Sequence, residues 1–216
     1  MKDNKELVLG ILGIVIVIAI FIAGNVMNNK KYEEKKLLTG KHYAEISVKD
    51  YGNIIVELDA DTAPITVTNF INLANSKFYD GLTFHRIMEG FMIQGGGYDE
   101  DGNKKITSTI KGEFELNNVE NNIKHKRGVI SMARTSTDFD SASSEFFIMH
   151  EDNSYLDGGY AAFGHVISGM DVVDKIATTA NPTDDNGSIK LEERPVITFI
   201  REIEEKAAVK NNEVNS

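Results

Sequence analysis

The 216-residue sequence has no cysteine, which excludes disulfides, thiolate metal sites and cysteine nucleophiles while leaving the compartment open. Basic residues are in deficit. Lys+Arg number 23 against 33 Asp+Glu, a formal net charge of −10, and such a surface repels nucleic-acid phosphates. Nucleic acid is therefore not an expected partner. The familiar catalytic signatures are missing too. The histidines, His42, His85, His125, His150 and His165, are scattered with no HExxH and no i,i+4 pair, so no zinc site is expected. No GxSxG surrounds any serine, and 141–144 (SASS) reads as a loop with local hydrogen bonds. The glycines 95–97 lack the GxxxxGK[ST] pattern and open no helix, which argues against a phosphate cradle. Residues 99–103 (DEDGN) carry part of a calcium-loop pattern without its closing glutamate and read as a solvated turn. No metal or other cofactor is expected.

One long apolar run is present. Residues 7–27, LVLGILGIVIVIAIFIAGNVM, contain no charge and a single polar side chain, Asn25. About 20 apolar residues match the hydrocarbon thickness of a bilayer, whereas the apolar region of a signal peptide runs to roughly 7–15. A buried core helix would show a polar stripe. The segment is expected to be an uncleaved transmembrane anchor after a short tail, 1–6, and before a polar stalk, 28–40, rich in Asn, Lys and Glu. Lys2 and Lys5 precede the span and Lys30, Lys31, Lys35 and Lys36 follow it, a count that by itself favours a cytoplasmic C-terminal side. Residues 206–216 have little to bury and are expected to fray.

Between them, 41–205 read as one folded domain. Ala44, Ile46 and Val48 alternate with Tyr43, Glu45, Ser47 and Lys49, the period of a half-buried strand, and Ile54, Val56 and Leu58 resume it after the turn 50–53 (DYGN). The period changes over 64–77, where Val67, Phe70, Ile71 and Ala74 share a helical face behind Pro64, with Thr62 as the expected cap. Further strands are expected at 82–87, 91–94, 128–134, 145–149, 161–166 and 196–203, and a short helix at 170–177. Many short strands with two helices suggest a closed antiparallel barrel, with a β-sandwich as the alternative, because alternation does not report closure.

Residues 83–97, TFHRIMEGFMIQGGG, set one arginine among large apolar side chains. By itself Arg86 reads as a surface residue covering apolar area with its stem, and its neighbours read as ordinary core. The segments 84–87 (FHRI), 90–96 (GFMIQGG), 128–134 (GVISMAR), 144–148 (SEFFI) and 156–158 (LDG) followed by Phe163-Gly164 change that reading. In this order, over about 43–202, they resemble the cyclophilin family of peptidyl-prolyl cis-trans isomerases, and most closely its compact bacterial members.

The resemblance implies a mainly β fold, a closed eight-stranded antiparallel β-barrel with two capping α-helices and a peptide groove on its outer surface. It implies acceleration of rotation about X-Pro bonds in proline-containing polypeptides, without a cofactor and as a monomer. Arg86 matches the catalytic arginine and His85 lines the groove beside it. Phe91, Met92, Phe147 and Leu156 match the pocket for the proline ring, Gln94 the glutamine near the substrate, and Ala133 the small residue whose backbone meets the peptide. His125 matches a structural histidine. Arg134, Glu145, Tyr155 and Tyr160 occupy groove positions where asparagine, glutamine, tryptophan and histidine are usual, and Gly97 replaces a common aspartate. Near Arg86, Glu145 can pair with the guanidinium and either orient it or compete with substrate, and it keeps open the alternative of a membrane-tethered proline-peptide-binding or chaperone module with weak or no isomerase activity. The resemblance also favours an extracytoplasmic domain on a single-pass cell-membrane protein, against the lysine count.

Overall fold

The computed structural model describes residues 36–208. The expected anchor at 7–27, the tail 1–6 and the end of the C-terminal tail lie outside the described residues. Among the described residues no helix is long and apolar enough to cross a membrane.

Alternation sets the first hairpin. Ala44, Ile46 and Val48 of β1 (Lys41–Val48) and Ile54, Val56 and Leu58 of β2 (Gly52–Asp59) turn inward and are buried. β3 (Leu82–Met88), β4 (Met92–Asp99), β5 (Val129–Met132), β6 (Phe146–Met149), β7 (Ala162–Ser168) and β8 (Ile197–Ile203) complete one eight-stranded sheet in the order β3-β4-β6-β5-β7-β2-β1-β8. Its strand ladders are antiparallel. The edge strands meet through a short seam. Thr83 bridges Val196, the Phe84 amide donates to Pro195 O at 2.9 Å, and the Gly81 amide donates to Ile197 O at 2.9 Å. β4 runs beyond the expected 94 because Gly95 lets it lie close on β3, where an added Cβ would stand 2.7 Å from Thr83 O. β5 stops at Met132, so Ala133 and Arg134 leave the sheet for the groove.

α1 (Pro64–Asn75) buries Val67, Phe70, Ile71 and Ala74, and α2 (Met170–Thr179) buries Val172, Val173, Ile176 and Ala177. Phe70, Tyr79, Phe84, Phe146 and Phe163 form the centre of the core, with ring centroids 5.3–6.0 Å apart. Packing begins ahead of the expected Lys41 boundary, since Leu38 rests on this core and its amide donates to Thr68 Oγ1 at 2.9 Å. At the other end the start of the expected frayed tail makes a helical turn, with the Ala207 and Ala208 amides donating to Glu204 O.

Two buried polar side chains tie long loops to this frame. Thr62 does not cap α1: Ala63 is the N-cap and offers no side-chain bond. The carboxylate of Glu113, 2% exposed, accepts the free first-turn amides of Ile65 and Thr66 at 3.0 and 2.8 Å. His125, with no exposed side-chain surface, shares one ring nitrogen with Asp157 Oδ1 and the other with Ser131 Oγ, both at 3.1 Å. Burial draws the His125 pKa below its ordinary 6.5, and the Asp157 carboxylate only partly opposes this.

Glu113→Ala should lower stability by about 1–3 kcal/mol, read as a shift of the urea midpoint at unchanged m-value. His125 has a lowered folded pKa, so in the window beneath 6.5 the unfolded chain binds more protons than the fold. Its stabilisation is whole above that value and is lost as the pH falls toward the depressed folded one. Asp157 also has a depressed pKa, but its contribution is lost only in a separate window beneath 3.8. The stability gap between wild type and His125→Gln should therefore narrow between about pH 7.5 and pH 5; a gap that stays constant would contradict this placement of the histidine.

Candidate active site

Period two also builds the opposite face of the sheet. Ile93 and Phe146 point into the main core, so their neighbours Met92 and Phe147 point outward, where with Val129, Met149 and Ala162 they form a second apolar cluster. Strand register aligns that face. Arg86 of β3 pairs with Gln94 of β4, Gln94 with Phe147 of β6, and Phe147 with Ser131 of β5. Arg86 reaches this row through a bulge. Phe84 pairs with Gly95 and Arg86 with Gln94, leaving His85 as an extra residue. Without it Arg86, two residues from the buried Phe84, would face the core. The bulge turns Arg86 outward and buries Ile87 in its stead.

The arginine is then held from several sides. Its Nε donates to Asn186 O at 2.7 Å and its Nη1 to Gln94 Oε1 at 3.2 Å. The sulfurs of Met88 and Met92 lie 3.2 and 3.7 Å from Nη2 and Nη1, and the Phe91 ring centroid is 5.9 Å from its Cζ. Among the described residues no carboxylate pairs with it. Burial lowers the Arg86 pKa from its ordinary value, with Tyr160 and Asp184 opposing, and the guanidinium stays charged at neutral pH.

The loop that supplies Asn186 was not among the expected site residues. It is strapped to β3 by Ile87 N–H to Gly187 O at 2.8 Å and Ile189 N–H to His85 O at 3.0 Å. Asp184 Oδ1 shapes its turn by accepting from the Asn186 and Ser188 amides. Gly187 has φ +85°, and an added Cβ would stand 2.5 Å from Met88 Cγ and 2.7 Å from Ile87 O, so a side chain there would push the loop off the strand. The turn chemistry of 184–188 (DDNGS) is visible in the sequence. Its destination, a hundred residues from Arg86, is not.

Beside Arg86 lies a cavity of about 140 Å³ lined by Phe91, Met92, Gln94, Ala133, Arg134, Phe147, Leu156 and Tyr160. That is close to the ~150 Å³ apolar cavity that accommodates a benzene ring, so it suits one small ring rather than a length of peptide. Tyr160 meets Phe147 edge-on at 5.9 Å, and Phe147 stacks on the fixed ring of His125 at 6.0 Å. Arg134 walls the far side. Its guanidinium lies 4.5 Å from the Tyr160 centroid and 4.9 Å from that of Phe139, while its Nε donates to Gly159 O at 2.8 Å.

Three expected residues do not line this cavity. Tyr155 is 96% exposed and outside the cavity, on the short turn Ser154–Leu156 that points Leu156 inward. His85 packs against the Tyr98 ring at 4.8 Å and opens onto a neighbouring groove that shares Arg86 and Gln94 with the cavity. Glu145 does not pair with the guanidinium, because Gln94 stands between them. Its Oε2 accepts from Gln94 Nε2 at 3.1 Å and lies 3.5 Å from His85 Nε2, and its Oε1 is 3.4 Å from Lys104 Nζ. Burial pushes its pKa up, but His85, Lys104 and Gln94 together bring it below the ordinary carboxylate value.

Known proteins resemble this chain in sequence and in fold. Residues 43–201 match the family described as cyclophilin type peptidyl-prolyl cis-trans isomerase/CLD. The chain is 48% identical over 132 residues to peptidyl-prolyl cis-trans isomerase A of Dickeya dadantii, a match covering 58% of this chain and 66% of that protein. It is 40% identical over 139 residues to peptidyl-prolyl cis-trans isomerase B of Escherichia coli, covering 61% of this chain and 82% of that one. The match thus spans about two thirds of the length of the first of these relatives. A crystal structure of a Cryptosporidium parvum cyclophilin type peptidyl-prolyl cis-trans isomerase, determined in the presence of the dipeptide Ala-Pro, superposes with a TM-score of 0.62 at 25% identity, covering 75% of this chain and 99% of that one. With the row, the ring-sized cavity and the family match in agreement, this chain belongs to the cyclophilin-type peptidyl-prolyl cis-trans isomerase family.

Proposed function

We propose that the domain accelerates rotation about X-Pro peptide bonds in proline-containing polypeptides and so assists protein folding, with Arg86 as its electrostatic catalyst. The observation that carries this reading is a charged guanidinium, paired with no carboxylate among the described residues, fixed beside a ring-sized cavity that Phe91, Met92, Phe147 and Leu156 help to wall. Rotation is slow because the nitrogen lone pair is delocalised into the carbonyl, a barrier of about 18–20 kcal/mol. Before proline both planar states are populated, and exchange takes tens of seconds or more. In the twisted state the lone pair localises on nitrogen. A fixed cationic donor aimed at it favours the twisted state over either planar one, which is the condition for catalysis.

Phe91, Met92, Phe147 and Leu156 clamp the proline ring while the preceding carbonyl turns, and the backbone at Ala133 meets the peptide. The Ala-Pro dipeptide present with the Cryptosporidium relative supports a proline-containing ligand here. The step needs no nucleophile, metal or proton transfer. A rate gain of about 10⁵ requires about 7 kcal/mol of selective stabilisation. A charge-assisted bond in a water-poor site, together with positioning, is of the right order.

The apolar run 7–27 supports a second proposal, that this isomerase works attached to the cell membrane with its domain on the extracytoplasmic side. A catalyst that uses no nucleotide suits a compartment without ATP.

Arg86→Ala should lower kcat on an X-Pro peptide by about 10²–10³-fold with a much smaller change in peptide affinity. Arg86→Lys should rescue poorly because a point charge lacks the planar fork. Equal losses in binding and turnover would make Arg86 a docking residue, and a wild-type protein that binds proline peptides without turnover would make the domain a binding module. Full-length protein should sediment with membranes, resist carbonate extraction and be shaved by protease from wall-stripped cells. A protected domain would reverse the topology, and a soluble form lacking residues 7–27 would remove the anchor.

A further inference from the structure

We propose that Glu145 is a positioning residue that acts on Arg86 through Gln94, and that the missing side chain of Gly97 is what admits it. The inference rests on Arg86 being the catalytic group. Gln94 carries one donor end and one acceptor end, whereas arginine only donates and an ionised glutamate only accepts. Standing between them, the carboxamide satisfies both partners in one orientation. Its Nε2 faces Glu145 Oε2 at 3.1 Å and its Oε1 faces Arg86 Nη1 at 3.2 Å. Turned over, it would set donor against donor and acceptor against acceptor. The carboxylate therefore decides which end of Gln94 meets the guanidinium, and so supplies the acceptor that aims one arm of Arg86. A glutamine at position 145 could accept or donate, and would leave the choice open.

The carboxylate is itself held. Lys104 and His85 flank its two oxygens at 3.4 and 3.5 Å, and the carbonyl of residue 145 accepts the Ala133 amide at 2.9 Å. Its space comes from Gly97. An added Cβ there would stand 2.5 Å from Glu145 Cγ, 2.7 Å from Cδ and 2.7 Å from Oε1, and these are its three nearest neighbours. Gly97 has no left-handed backbone angle to excuse it, so room for the glutamate is what a side chain would cost. The two positions are thus one device: a side chain at 97 would displace the carboxylate from its place beside Gln94.

The test is a double-mutant cycle on the full-length protein, with kcat and KM measured on an X-Pro peptide for Glu145→Leu, Gly97→Ala, their combination and Arg86→Ala. Glu145→Leu should lower kcat about tenfold with KM changed less than twofold, and Gly97→Ala should do the same by displacing the carboxylate. The combination should be no worse than either alone, because both variants take the same carboxylate away from Gln94. Glu145→Gln should lose only two- to threefold, since one of its orientations still accepts from Gln94. If Glu145→Leu fails to fold, Gly97→Ala and Glu145→Gln carry the comparison. Additive losses, a rise in KM at constant kcat, or unchanged kcat in these variants while Arg86→Ala is impaired would overturn the inference alone. Full turnover by Arg86→Ala would instead remove the reading on which it rests.

Discussion

A guanidinium partly withdrawn from water ordinarily takes a carboxylate partner, whereas Arg86 takes a backbone carbonyl, an amide oxygen and two thioether sulfurs. The difference bears directly on the proposed mechanism. A carboxylate would quench the field that this mechanism directs at the twisted peptide nitrogen, and its removal from water would have to be offset in turn. Neutral acceptors fix the planar group and leave its charge available, at the cost of a lowered pKa that arginine tolerates more readily than lysine would. The negative charge is kept one residue away, on Glu145, with Gln94 between.

The rest of the fold follows from holding that group still. The β3 bulge turns Arg86 out of the core, and antiparallel register places Gln94 and Phe147 in line with it. The 184–188 turn is pressed onto β3 and brings Asn186 O to the guanidinium. Beneath the ring-sized cavity Phe147 lies on His125, whose own ring is fixed at both nitrogens. A side chain that is already positioned loses little entropy at the moment of reaction, which is where an electrostatic catalyst gains over water.

Much of this was legible in the sequence, for identifiable reasons. Period-two alternation located β1 and β2, and the change of period located α1, because both patterns are local. The same alternation separates Phe146 from Phe147 and Ile93 from Met92, but only the fold says which face is core and which is groove. The resemblance named the pocket residues. Features that depend on tertiary register were not legible. Nothing local marks His85 as the extra residue of a bulge, and Asn186 contributes a backbone carbonyl, which any residue possesses. The Glu113 cap reaches α1 from nearly fifty residues away and displaced the local candidate Thr62. Glu145 is legible as a departure, but its partner is Gln94 rather than the guanidinium, and sequence cannot show that Gln94 intervenes.

The central claim is that the fixed charge of Arg86, rather than its shape or its contacts with the peptide, lowers the rotational barrier. Arg86→citrulline, introduced by semisynthesis, keeps the planar fork and most of its donors while removing the charge. Exchange NMR on an X-Pro peptide then reads affinity and on-enzyme isomerisation rate in one experiment. The account predicts affinity within about twofold of wild type and an isomerisation rate lowered by about 10²-fold. An isomerisation rate equal to that of wild type at undiminished affinity would contradict it.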